Sequence, residues 1–202
     1  MAEQDLLDDD LRALDQVAEE RGAAGLPALQ AAVARLRGEG DRDRLAWALP
    51  PLARSFALCE QFEAAESAAN EALAHFRVNG SVRGQAFALN ALGVVAIRRG
   101  VPSRALEVAG EAVVLARAAD DPILQLRIAN TLGIVLNDIG CLPEAVQILE
   151  EGLRAARGFQ GEAVVLRLRS NLSLALGRWA LKEHDDGVDE AAWRPRAERA
   201  IE

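Results

Sequence analysis

Apolar residues recur at i, i+3, i+4 and i+7 through most of the chain, as at Leu89, Leu92 and Ala96, and again at Ile128, Leu132 and Val135. That spacing lines one face of a helix turning about 100° per residue. Alternating runs bounded by turn residues, the pattern of strands, do not occur in the sequence. Ala, Leu, Arg and Glu dominate, and all four lose little side-chain freedom in a helix. The pattern predicts an all-α protein.

Above this helical period lies a longer one. The segment NALGVVAIRRGVPSRALEVAGEAV from Asn90 lines up with NTLGIVLNDIGCLPEAVQILEEGL from Asn130, an offset of 40 residues. Leu92-Gly93 falls on Leu132-Gly133, Gly100 on Gly140, Ala105 on Ala145, Glu111 on Glu151 and Ala112 on Gly152. One step back, the same offset meets Leu52-Ala53, Glu60, Ala65, Glu71 and Ala72; one step forward it meets Leu172-Ser173 and Ala180. A fainter echo at Ala13, Glu20 and Ala32 reaches towards the N-terminus, although Arg12 stands where the other units have Leu. Small residues at Ala53, Gly93, Gly133 and Ser173 allow a first helix to approach its partner, and Ala65, Ala105 and Ala145 do so on a second. Gly100 and Gly140 suit a left-handed helix end, and Pro102 and Pro143 then suit the first turn of the next helix. Turn residues at Asn79-Gly80, Asp120-Asp121-Pro122 and 158–161 separate the units. A series of antiparallel helix hairpins follows.

The pattern of Leu92, Gly93, Gly100, Ala105 and Ala112, repeated as Leu132, Gly133, Gly140, Ala145 and Gly152, resembles the tetratricopeptide repeat (TPR). The resemblance covers roughly residues 44–182 and implies a right-handed superhelix of antiparallel helix hairpins, a TPR-like solenoid. The period exceeds the usual ~34 residues by about six, or about 9 Å of extra helix per unit. Elongated repeats of this kind resemble those of bacterial regulatory proteins, including peptide-sensing regulators, large transcription activators and the N-terminal regions of some GGDEF diguanylate cyclases. The expected organisation is a degenerate N-terminal hairpin over 1–40, repeats over 41–182, and an acidic loop with a truncated last helix over 183–202.

Two places break the register. Pro50-Pro51 falls inside a first helix, where proline costs about 3 kcal/mol and removes a hydrogen bond, so a kink or a fresh helix start at Pro50 is expected. After Lys182, EHDDGVDEAAWRP occupies the place of a second helix, whose pattern resumes at Arg196 about eight residues late and runs to Glu202 without a polar cap. The sequence therefore reads as the N-terminal piece of a longer protein.

Charge and composition narrow the chemistry. The 202 residues carry a formal charge of −8, with aromatics at 4% and no Tyr. An acidic chain without stacking platforms is poorly suited to direct nucleic-acid binding. No apolar run is long enough to insert in a membrane, and the acidic start is no secretory signal, so a cytoplasmic location is expected. His75 and His184 stand apart, Cys59 and Cys141 are 82 positions apart, and no HExxH, CxxC, GxGxxG or GxxxxGK[ST] motif occurs. The acidic Asp185-Asp186-Gly187 lacks the remaining ligands of a calcium loop. Hence no catalytic residues, no metal and no cofactor are expected, and the chain is read as non-enzymatic. Trp193 reads equally as a hydrophobic plug or an interface residue.

What remains is surface. The family resemblance places a binding groove on one stripe of each first helix: Phe87, Asn90, Val94 and Ile97; Arg127, Asn130, Ile134 and Asn137; Arg167, Ser170, Leu174 and Arg178. The candidate site is Phe87, Asn90, Arg127, Asn130, Asn137, Arg167, Ser170 and Arg178. Amides can pair with a ligand backbone and guanidinium groups with carboxylates, which points to a protein or peptide partner of acidic character. The plainer alternative is that these Asn and Arg side chains bridge neighbouring helices. The Lys/Asn/Asn/Lys/Arg carboxylate clamp of some family members is not matched. The functional expectation is a protein- or peptide-binding module regulating an effector, as in a diguanylate cyclase. The alternatives are the peptide-receptor region of a transcription regulator and a homodimerisation module.

Overall fold

Helix ends in this chain fall on a strict register. A residue with positive φ occurs at every twentieth position from 40 to 140: Gly40, Glu60, Gly80, Gly100, Asp120 and Gly140, with φ of 73°, 58°, 74°, 75°, 50° and 81°. One residue later the chain closes the preceding helix with an amide bonded five residues back, as in Gln61 N–H to Phe56 O (3.0 Å), Ser81 to Phe76 (3.0 Å), Val101 to Ala96 (2.9 Å) and Cys141 to Leu136 (2.9 Å). This closure satisfies carbonyls that the helix end leaves open. The 40-residue repeat is thus two helical half-units of equal length.

The computed structural model of the chain describes residues 9–155 and 162–201. The turn expected at 158–161 lies outside them. In order come α1 (Asp9–Arg21), a 3₁₀ turn (Gly22–Gly25), α2 (Leu26–Glu39), α3 (Arg42–Leu58), α4 (Phe62–Asn79), α5 (Val82–Arg99) and α6 (Pro102–Ala118). α7 (Pro122–Asp138), α8 (Leu142–Ala155), α9 (Glu162–Asp185) and α10 (Glu190–Ile201) follow. No strand occurs among the described residues, so the protein is all-α. Each first helix from α3 to α7 starts on a capping side chain. Asp41 accepts from Arg44 N–H (3.0 Å), Ser81 from Gly84 N–H (2.9 Å), and Asp121 from the N–H groups of Ile123 and Leu124 (both 3.0 Å). The second helices α4 and α6 start without such a bond, and α6 has Pro102 at its first position.

The chain forms two compact units that divide after Asp120. In the first, α3 is central: α1, α2, α4 and α5 all pack on it, and α5 packs in turn on α4 and α6. Leu29, Leu36, Leu49, Phe76, Leu89, Val95 and Val108 are fully buried, and alanines 53, 65, 69, 72, 105, 109 and 112 bring the helices close between them. α3 is one continuous helix through Pro50 and Pro51, both buried. Of the two outcomes expected at Pro50, a kink or a fresh start, the fresh start does not occur, because tertiary packing on four neighbours outweighs a local cost of about 3 kcal/mol. Arg37 of α2 pairs with Glu71 of α4 (2.6 Å), and Arg77 of α4 pairs with Glu111 of α6 (3.3 Å), one repeat later. These pairs are half-exposed, so each adds little stability but agrees with the register.

In the second unit α7 and α8 form a hairpin, α9 packs on both, and α10 folds back on α9. Leu126, Ala129, Ala145, Val146, Leu149, Val164, Leu168, Ala175 and Leu176 make its core. The close crossings expected at Gly133 and Gly152 are present. A Cβ on Gly133 would stand 2.5 Å from Leu149, and one on Gly152 would stand 2.6 Å from the Ala129 Cβ. At register position 180 stands a buried Ala in place of Gly, so α9 does not stop there. It runs on to Asp185 and ends only at Gly187 (φ 74°), where Val188 N–H meets Glu183 O at 2.9 Å. The acidic loop expected from residue 183 is therefore confined to 186–189. α10 begins at Glu190, six residues before Arg196, with Asp189 accepting from Ala191 N–H at 2.8 Å.

Candidate functional site

The side chains on α7 and α9 form the densest polar arrangement among the expected site residues. Asn130 on α7 accepts from Asn171 Nδ2 on α9 at 2.8 Å. One helical stretch further, Arg178 Nη1 of α9 donates to the carbonyl and the Oδ1 of Asn137, at 2.7 and 3.1 Å. Both links join residues 41 apart and rivet α7 to α9. Asn137 is buried, while Asn130 and Arg127 are half-buried. Arg167 and Ser170 of α9 are exposed, and partial burial lowers the Arg167 guanidinium pKa from its ordinary value. Of the six expected residues on these two helices, three therefore serve first as bridges and two stand open to solvent.

Phe87 and Asn90 of α5 are buried. Phe87 lies 5.9 Å from the Trp47 ring, which in turn lies 4.8 Å from Phe76. The guanidinium of Arg54 lies 5.6 Å from the Phe87 centroid and pairs with Asp15 (2.5 Å) and Glu19 (3.6 Å) of α1. Phe87 is thus part of an aromatic–guanidinium core in the first unit. Arg54, Trp47 and Asn171 were missed as partners. For Trp47 and Asn171 the signal was the register, since Trp47 stands 40 before Phe87, and Asn171 one residue after Ser170.

Among the described residues no three His, Cys, Asp or Glu side chains are grouped to hold a metal. His75 pairs with Asp43 at 2.7 Å, and His184 lies edge-on to Trp193 at 5.2 Å. Trp179 lies 4.0 Å beneath the guanidinium of Arg196, which also pairs with Glu183 at 2.6 Å, holding α10 to α9. Ser173 Oγ donates to Ala200 O across the same pair of helices. No described helix is long and apolar enough to cross a membrane.

α9 carries the open surface. Leu166, Leu174 and Leu181 are 59%, 53% and 65% exposed, with Ser170 between the first two. A Podosopora anserina protein, whose crystal structure is described as kinesin light chain nearly identical TPR-like repeats, aligns with a TM-score of 0.62. The alignment is 15% identical and covers 95% of this chain and 92% of that one. The fold is TPR-like. No protein-family model and no curated protein matches the chain.

Proposed function

We propose that this chain is a non-enzymatic, protein- or peptide-binding TPR-like module that regulates or localises an effector. The observation that carries the reading is the exposed leucine and arginine face of α9 on a scaffold whose other large apolar side chains are mostly buried. Within this reading, the chain acts as the sensory or interaction region of a longer bacterial signalling protein, a diguanylate cyclase being the specific candidate. A peptide-receptor region of a transcription regulator and a homodimerisation module are the alternatives. Arginine exposed on α9 supports a partner of acidic character.

A photo-crosslinking residue at Ser170 tests the reading in living cells. A discrete adduct with another protein is expected there, and none from the same probe at exposed Asn70 of α4. Equal labelling at both positions, or none at Ser170, would overturn it. Turnover of GTP by the purified chain would overturn the non-enzymatic assignment.

A further inference from the structure

The register makes α9 comparable with α7, position by position. Leu126 of α7 is 0% exposed, in one apolar cluster with Leu168 of α9. Its counterpart 40 residues on, Leu166, is 59% exposed. Ile134 is half-buried, whereas its counterpart Leu174 is 53% exposed. Positions covered in α7 are thus open in α9. At about 100° per residue, Leu166, Ser170, Leu174 and Leu181 fall within a sector of about 80°, and at about 1.5 Å per residue they span about 22 Å. This is an apolar stripe four turns long, with a small residue between the first two leucines.

Charge says what fits on it. From Ala163 to Lys182 the sequence has Arg167, Arg169, Arg178 and Lys182 and no acidic residue, in a chain of net charge −8. Arg167 and Arg178 border the stripe on one side, about 20–40° beyond Leu174. Arg178 spends Nη1 on Asn137, which leaves Nε and Nη2 for an incoming carboxylate. A second copy laid antiparallel would set these arginines against their own counterparts, a repulsive arrangement. A helix with leucine-like anchors and a flanking row of Asp or Glu meets both the stripe and its border.

We infer that the outward face of α9 is a docking seat for an acidic amphipathic helix of another protein. The inference rests on the reading of the chain as a binding module and names its partner's chemistry.

The test uses the whole purified chain and two labelled synthetic helical peptides of about 20 residues. Both carry leucines at heptad spacing; one has Glu on its flanks and the other Lys. The Leu/Glu peptide is expected to bind saturably by fluorescence anisotropy, more weakly as salt rises. Leu174→Asp, with unchanged circular dichroism, should weaken it at least about tenfold. Arg167→Glu with Lys182→Glu should reverse the preference between the peptides. Absence of Leu/Glu binding up to about 100 μM overturns the inference, as does equal binding of both peptides or indifference to Leu174→Asp. Light scattering that shows a dimer split by Leu174→Asp overturns it in favour of a second copy. A protein adduct at Ser170 with no Leu/Glu binding leaves the binding-module reading standing and removes only the acidic helix.

Discussion

Arg54 sits nearly out of water between Asp15 and Glu19, with the ring of Phe87 beside its guanidinium. Truncation would leave two mostly buried carboxylates uncompensated, so Arg54→Ala is expected to destabilise the protein by about 3 kcal/mol in urea unfolding. A conservative Arg54→Lys retains charge but loses the planar fork, and should fall between. Glu60 is the opposite case. It holds φ of 58° where most register partners are glycine. Glu60→Gly removes that strain, partly offset by backbone entropy, and should stabilise by about 0.5–1 kcal/mol, read as a Tm rise of a few degrees. Residue-scale features divide by how local their signal is. Gly100 and Gly140 were legible because a left-handed helix end favours one residue type. Arg54 was not, because nothing in its own neighbourhood of sequence indicates that α1 will bring two acids to it.

At the scale of elements, helix length here is set by where the left-handed residue falls, and close crossings by what lacks a Cβ. Gly133→Ala would drive a methyl to 2.5 Å from Leu149, and about 1–3 kcal/mol of destabilisation is expected by urea titration. Asn171→Ala removes one half of the amide pair with Asn130 and should cost about 1 kcal/mol, measured the same way. The repeats were readable from the chain because a 40-residue offset leaves an imprint on every hairpin. The two departures differ. α9's extra length was foreshadowed by Ala180 where Gly100 and Gly140 stand, since no residue there favours a stop. At Pro50 and Pro51 the sequence left a kink and a fresh start both open, because the outcome is decided by neighbouring helices and not by local propensity. The sequence likewise left open whether Asn130, Asn137 and Arg178 face a ligand or bridge neighbouring helices, and their bonds join α7 to α9.

At the scale of the molecule, contacts run between neighbouring helices within each unit. Stability in such arrays is a sum of local and nearest-neighbour terms. Hydrogen exchange should therefore show Arg54→Ala loosening α1 and α3 while protection in α9 and α10 stays at its wild-type level. Uniform loss of protection along the chain would mean that the molecule opens as one block.

The twenty-residue spacing of the left-handed turns has a consequence for how such a gene can change. Asp41, Ser81 and Asp121 open equivalent helices, and Gly40, Gly80 and Asp120 close the ones before them. Gain or loss of forty codons between equivalent points rejoins a helix end to a matching cap, wherever the exchange occurs. Twenty codons would exchange a capped helix start for an uncapped one, and any smaller number would rotate every downstream side chain off its partner. Lineages related to this chain should therefore differ by whole hairpins, with small insertions falling where, among the described residues, the spacing has already lapsed, between α1 and α2 and between α9 and α10.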